Sequence, residues 1–495
     1  MGSLPRFLHP PGDVAQLVEH LLCKQGVGGS SPLVSTGLRS TCEPEGRPVM
    51  VIIVALTSLQ AARAQMAVSL GFHIVFAALA VGLPAILLFA EYRANRTGDA
   101  VWMALCRRWA RALGILVAVG AVSGTVLSFA LGLFWPGLMG RWGAVIGQPF
   151  ALEAFAFFIE AIFLGIYLFG WDRLSPWAHW AAGWPVAIGG VASAWFVVTA
   201  NAWMQTPTGF ATVSGGRVVD VQPIAAMLNP STPVMTTHMI VAAYMATGFT
   251  VAAVYAVGML KGRRDAYHRR GLAVGLVLGL ALAPIQIVVG DAAARLVADR
   301  QQVKLAAMEG LWRTTAHAPL TIGGIPLPSQ ERTILGIKIP GGLSWLAYGD
   351  PAAVVHGLDE VPAADRPNVV VVHLAFQIMV AIGFGLAALG LWASIMWIRR
   401  RRLPDTKWFL RASAVAGPAT FVALEMGWVV TELGRQPWIV YGQTRTADAV
   451  TSRPGIVFWL AATVAIYVLL GVACAWLLFR LARTPREGAE LEAAG

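Results

Sequence analysis

Apolar residues run along this chain in long unbroken blocks. They neither alternate with polar residues nor recur only at every third or fourth position. The blocks fall near residues 66–90, 112–135, 148–170, 180–203, 235–260, 271–290, 369–398, 412–432 and 455–479. Each is long enough to cross about 30 Å of hydrocarbon as an α-helix rising about 1.5 Å per residue. A helix satisfies its own backbone polar groups, so the pattern predicts an all-α polytopic membrane protein with about nine transmembrane helices. The segment 291–368, between the sixth and seventh blocks, is far longer than the other connections, and loops of that length usually carry function. It holds QQVKLAAMEGLW, a short stretch with helical spacing. No internal repeat is visible, which weakens an inverted-repeat transporter reading.

Composition sharpens this picture. Of 495 residues, 57% are apolar and 13% charged, against about 25% charged in soluble proteins, so an ordinary soluble enzyme is excluded. The net charge of +11 raises nucleic-acid binding, but the positions of the basic residues decide otherwise. Arg93, Arg96, Arg107, Arg108 and Arg111 follow the first block, Lys261, Arg263, Arg264, Arg269 and Arg270 the fifth, and Arg399 to Arg402 with Lys407 the seventh. The loops at 136–147, 204–234 and 433–454 hold few. The positive-inside rule then places the N-terminus outside and the C-terminus, with Arg480, Arg483 and Arg486, in the cytoplasm. The basic excess is topological, and no nucleic-acid partner is expected. Cys23, Cys42, Cys106 and Cys474 are scattered without a CxxC pair, so neither a disulfide framework nor a thiolate metal site is indicated.

Residues 1–49 contrast with the rest, being polar and rich in Gly, Ser and Pro. The string GDVAQLVEHLLCKQGVGGSSPLVST resembles an accidental translation of a tRNA gene, and Met50 opens a credible start. This segment reads as a non-native or disordered extension. The remainder divides into six helices over 50–290, an extracytoplasmic loop over 291–368, three helices over 369–480 and a cytoplasmic tail over 481–495.

Ionisable residues inside spans are costly and mark candidate functional positions. Here they are His73, Glu153, Glu160, His238, Glu425 and Glu432, with His373 at the entrance of the seventh block. Alternating span direction brings His73, Glu153, His238, Met379 and Glu432 toward one level, near the side carrying the long loop. His, Met and carboxylate are a ligand set for haem iron: His with Met suits a six-coordinate electron-transfer haem, and a lone axial ligand leaves a face open to oxygen. The bland alternative for each is an interhelical hydrogen bond or core packing. Glu153 and Glu160 stand at i,i+7 and share a helix face, which suits a proton relay. Trp428 precedes Glu432 by one turn. Arg435 follows three residues later, where its guanidinium suits either a haem propionate or the Glu432 carboxylate.

Four strings carry a family resemblance: FFIEAIFLGIYLFGWDRL (157–174), NAWMQTP (201–207), KLAAMEG (304–310) and GWVVTELGRQPW (427–438). With them the chain resembles subunit I of the cytochrome bd-type quinol oxidases over essentially all of 50–480. The resemblance implies a terminal oxidase of the bacterial cytoplasmic membrane that oxidises ubiquinol or menaquinol and reduces dioxygen to water. It would form a proton gradient by charge separation without pumping. It also implies three haems held between helices near the outer face, and a partner subunit II, often with a small single-span subunit. Carried over by position, His238 and Met379 would ligate a low-spin haem b. His73 and Glu432 would be the axial ligands of a high-spin haem b and a haem d (or a third haem b), with the assignment between them open, and Trp428 and Arg435 would line the cofactors. Glu153 and Glu160 would deliver protons, Glu153 also within reach of a haem iron, and Lys304 and Glu309 would serve quinol oxidation.

Two departures matter. The loop lacks a long insertion found in one branch, which places the chain with the short-loop branch that includes cyanide-insensitive oxidases. Gln377 stands two residues before Met379, where the other branch has Arg; loss of that cation should lower the potential of the low-spin haem. Two rivals remain from the residues alone. One is a secondary transporter using the intramembrane carboxylates, and the other a haem electron-transfer protein without oxidase activity.

Overall fold

The computed structural model describes residues 56–212 and 216–484. The sequence reading of 1–49, with Cys23 and Cys42, lies outside them, as does most of the C-terminal tail. Among the described residues, nine helices are long and apolar enough to cross a membrane. They are α1 (Ser58–Thr97), α2 (Ala100–Phe134), α3 (Pro136–Phe169), α4 (Pro176–Gln205), α5 (Thr232–Leu260), α6 (Ala266–Arg300), then α8 (Val369–Arg400), α9 (Lys407–Leu433) and α10 (Ile456–Arg483), with the short α7 (Gln302–Glu309) between α6 and α8.

Local sequence sets the ends of these helices. Thr57 and Gln60 close a capping box at the start of α1. Asp99, Ser175, Asp265, Asn368 and Thr406 each accept a backbone N–H at the start of α2, α4, α6, α8 and α9, satisfying donors the helix itself cannot. Gly98 ends α1 at a φ of 68°, which a glycine adopts without strain. Several helices overrun the apolar blocks, because polar residues near a membrane surface still extend a helix. Thus α1 continues to Thr97 and α4 begins at Pro176, and the α2–α3 connection shrinks to Trp135 with Pro136 at the first helical position.

Packing divides the spans into two four-helix rings. In the first, α1 packs on α2 and α4, and α3 on α2 and α4; in the second, α5 packs on α6 and α9, and α8 on α6 and α9. Helix α5 also lies against α1 and α4, joining the rings, and α10 packs outside α1 and α2. The apolar side chains facing away from the rings, such as Phe155, Phe169, Leu391 and Leu469, are exposed, as expected of surfaces solvated by lipid.

The long loop between α6 and α8 is structured. After α7 comes an antiparallel hairpin, β1 (Leu320–Leu327) with β2 (Arg332–Ile339), in the register Leu320↔Ile339 to Leu327↔Arg332. A short helix, Gly342–Tyr348, follows. Helix α7 packs on α6 and α8, and β1 on α8, so the loop closes over one end of the second ring.

Candidate functional site

In the second ring, His238 of α5 and Met379 of α8 stand on diagonally opposite helices. Gln286 of α6 reaches His238, its Nε2 lying 3.1 Å from the ring Nε2 and 3.3 Å from Nδ1. A Cβ placed on Gly290 would lie 3.5 Å from His238 Cε1, and one on Gly427 of α9 only 3.1 Å from Met379 Sδ. Both side chains are thus faced by glycines of the two intervening helices.

His73 of α1 belongs to the first ring. Its Nδ1 lies 3.0 Å from Ser123 Oγ on α2, and that hydroxyl donates to the Gly120 carbonyl at 3.0 Å. The serine has one hydrogen to give, and with that hydrogen on the Gly120 carbonyl the contact has His73 donating from Nδ1. Its Nε2 then keeps a lone pair, the arrangement of a metal-ligating imidazole. A Cβ on Gly124 would come within 3.0 Å of the His73 ring. On α3, Glu153 accepts from Ser193 Oγ at 3.0 Å. Glu160 is buried, and its Oε1 has no hydrogen-bond partner among the described residues. Glu425 of α9 faces α1, where a Cβ on Gly71 would lie 3.5 Å from its Oε2. Trp428 packs with Leu424, Ile74, Ala243 and Ala246 where the two rings meet.

Glu432 sits at the end of α9. It accepts from Asn201 Nδ2 of α4 at 2.5 Å and pairs with the Arg435 guanidinium. Of the two roles open to Arg435, this contact is neutralisation of the carboxylate. Yet Arg435 is 4% exposed, and its Nε and Nη1 have no partner among the described residues. Buried guanidinium N–H groups without acceptors are costly. Together with the glycines opposite His73, His238 and Met379, they fit a flat, carboxylate-bearing macrocycle, so the residues present suit haem.

The loop brings Lys304 and Glu309 of α7 to the same end of the molecule. Both are buried. Lys304 Nζ donates to Gln205 Oε1 at 2.5 Å; burial, helped by the neighbouring Arg435 charge, pulls its ammonium down to about 7. Burial pushes Glu309 up to about 8, against a backbone hydrogen bond from Thr321 of β1, and its Oε2 has no partner among the described residues. His373 bridges the region, its Nδ1 2.8 Å from the Met308 carbonyl and its Nε2 3.0 Å from the Gly323 carbonyl. Gln377 receives the Gly323 N–H at 2.9 Å and donates to the Thr321 carbonyl at 3.0 Å. Where a cation was missed, an amide fastens the hairpin to α8.

A chain of contacts connects these groups. Gln205 Nε2 lies 3.4 Å from Asn201 Oδ1, so Lys304, Gln205, Asn201, Glu432 and Arg435 form one continuous network. The ionisable candidates were open to sequence reasoning. Ser123, Gln205, Gln286 and the glycines were not, because neutral residues in apolar spans are easily passed over; an amide such as Gln286 amid Ile and Val was the available signal.

These features define a polytopic helical membrane protein that places His, Met and carboxylate side chains between packed helices. The family model described as cytochrome bd terminal oxidase subunit I matches residues 61–486. The chain is 35% identical over 430 residues to a putative cytochrome bd menaquinol oxidase subunit I of Bacillus subtilis, covering 86% of this chain and 96% of the relative. It is 29% identical over 491 residues to the cytochrome bd-II ubiquinol oxidase subunit 1 of Escherichia coli, covering 85% and 95%. The bd oxidase structure from Geobacillus thermodenitrificans matches with a TM-score of 0.81 and 37% identity, over 86% of this chain and 99% of that one. The chain belongs to the cytochrome bd terminal oxidase subunit I family.

Proposed function

We propose that this chain is the haem-bearing, quinol-oxidising subunit of a terminal respiratory oxidase in a bacterial cytoplasmic membrane, working with a subunit II. The observation that carries the reading is the network from Lys304 through Gln205 and Asn201 to Glu432 and Arg435. It joins the loop expected to receive quinol to a group expected to hold a cofactor.

His238 and Met379 would hold a low-spin haem b. His73 and Glu432 would each serve a high-spin haem, one b and the other d or a third b. Bound there, the haems supply one-electron storage between a two-electron quinol and a four-electron oxygen reduction. Glu309, near its neutral form at physiological pH, takes a proton from the quinol hydroxyl when ionised. Lys304 presents its ammonium or amine to the quinol oxygen. Glu160 and Glu153, a relay of two on one face of α3, bring protons toward the oxygen-reducing end. With the Arg-rich loops in the cytoplasm, the N-terminus outside and the C-terminus inside, quinol protons leave outward. Protons for water enter from the opposite side, so charge separates without a pump. The substrate is a membrane quinol, ubiquinol or menaquinol; one relative's name carries each.

The test is a dithionite-reduced minus air-oxidised spectrum of the chain purified with its partners, followed by carbon monoxide. Low-spin b features with a carbon-monoxide-sensitive high-spin component are expected. A far-red chlorin band would assign haem d, and its lack a third haem b. Well-folded protein without haem would overturn the reading and return the carboxylates to a transporter.

A further inference from the structure

At the end of the first ring that carries Arg93 and Arg96, four buried side chains from four helices meet. They are Glu91 of α1, Cys106 of α2, Tyr167 of α3 and His179 of α4, none used by the function above. Tyr167 donates its hydroxyl hydrogen to Glu91 Oε2 at 2.5 Å, and His179 Nδ1 lies 2.6 Å from Glu91 Oε1. His179 Nε2 is 2.8 Å from the Tyr167 carbonyl. A carbonyl only accepts, so Nε2 carries a hydrogen. One more hydrogen then belongs to the Nδ1–Oε1 contact, whether it rides on the imidazole or the carboxyl. The pair is neutral overall and 1–2% exposed. Gain or loss of one proton changes its charge by one unit while the heavy atoms stay in place. Beside it lie the Cys106 thiol, 3.4 Å from the Tyr167 hydroxyl, and the charge of Arg107, close enough to act on that thiol. Arg107 lies 5.2 Å over the Trp171 ring, which itself packs 3.9 Å from the His179 ring.

A brace tying four helix ends would use the same contacts, but two observations favour transfer. Glu153, Glu160 and Tyr167 repeat at i,i+7 along one face of α3, in steps of about 10 Å. Helix α4 lines that face, Ser193 meeting Glu153 and Gly190 meeting Glu160, where a Cβ would lie 3.5 Å from the carboxyl oxygens. Secondly, Glu160, the next ionisable group inward, is 4% exposed, with its Oε1 unpartnered among the described residues. A buried acceptor without a donor stands at the next step of a file that begins at a buried proton-sharing pair.

We propose that Glu91 and His179 form a proton-loading site at the cytoplasmic mouth of the α3–α4 seam. The pair takes a proton from cytoplasmic water. It passes one by way of Tyr167 and bridging water to Glu160, and onward to Glu153. Each proton that enters displaces one, and no electrons move within the file. The proposal rests on the oxidase reading and on the cytoplasmic placement of the Arg-rich loops.

The test uses the purified oxidase with its partner subunits and Glu91→Gln, whose amide keeps the hydrogen-bonding shape but cannot give up a proton. Two readouts apply: redox-difference infrared spectra in the carboxyl region, and the rate of proton uptake, followed with a pH dye, after fully reduced enzyme meets dioxygen. The expected result is an unaltered haem spectrum, loss of one carboxyl band and proton uptake slowed about tenfold or more. Uptake at the wild-type rate with every carboxyl band retained would overturn the proposal and leave the cluster a brace. If Glu91→Gln does not assemble, Tyr167→Phe leaves the Glu91–His179 pair in place and removes its inward link. Slowed uptake supports the path, and unchanged uptake overturns it. Failure of the wild type itself to take up protons with oxygen would instead sink the oxidase reading, and this proposal with it.

Discussion

Lys304 Nζ and Gln205 Oε1 meet at 2.5 Å although 99 residues separate them in the chain. Gln205 belongs to the end of α4 and Lys304 to the loop helix α7, so one amide oxygen ties the loop to the transmembrane body. That oxygen also accepts from Gln301 at 3.1 Å. Removing it leaves a buried ammonium without its acceptor, a loss of about 1.5–3 kcal/mol for a charged hydrogen bond. Gln205→Leu should therefore lower kcat/KM for quinol by about 10- to 100-fold. Oxygen uptake with an artificial donor that reduces the haems directly should stay unchanged. Steady-state oxygen consumption with both donors checks this, and equal loss with both would detach Lys304 from quinol.

Glu309 should impose a pH dependence of its own. Burial holds its carboxyl protonated up to about 8, and only the ionised form accepts a proton. Quinol oxidation should rise with pH through about 8, and Glu309→Gln should flatten that rise while depressing the rate. Stability runs the other way. A carboxyl whose folded value is raised stabilises the fold below its ordinary range, and that contribution is lost as pH rises through about 8. Thermal unfolding of wild type and Glu309→Gln across this window should converge at low pH and diverge at high pH, the glutamine variant being the more stable there.

Ser123 fixes the His73 tautomer, so Ser123→Ala should weaken cofactor retention without unfolding α2. Loss of such a supporting hydrogen bond typically costs about 10- to 100-fold in metal affinity. Pyridine haemochrome analysis should show fewer haems per chain, or a shifted carbon-monoxide spectrum. Full haem content with an identical spectrum would place His73 elsewhere than on iron.

Met379→Leu conserves volume, a change that usually costs under about 1.5 kcal/mol. The fold should survive while the low-spin signal in the reduced-minus-oxidised spectrum is lost or converted. An unaltered spectrum would return Met379 to core packing beside Gly427.

Much of this architecture was legible because lipid imposes a coarse rule on sequence. Nine apolar blocks became nine candidate spans among the described residues, and the rarity of charge inside them drew attention to His73, Glu153, Glu160, His238 and Glu432. Helix limits were harder to read, since nothing stops a helix at the edge of an apolar block. Glu91 and His179 fall one residue beyond blocks that end at 90 and begin at 180, so the cluster they form escaped notice. The hairpin of β1 and β2 was also hidden, its strands being interrupted by Gly323, Gly324 and Gly336. The partners of neutral side chains such as Ser123 and Gln377 depend on helix rotation, which hydropathy does not encode.

The hydrogen bond from the Gly323 N–H to Gln377 supplies a built-in clock. That amide is shielded only while the hairpin rests on α8, so its hydrogen exchange measures how often the loop lifts away. Because the acceptor stands two residues from Met379, the same amide reports on the loop and on the helix turn bearing the thioether. Opening of the surface between the hairpin and α8 can thus be timed at a single backbone position, independently of turnover.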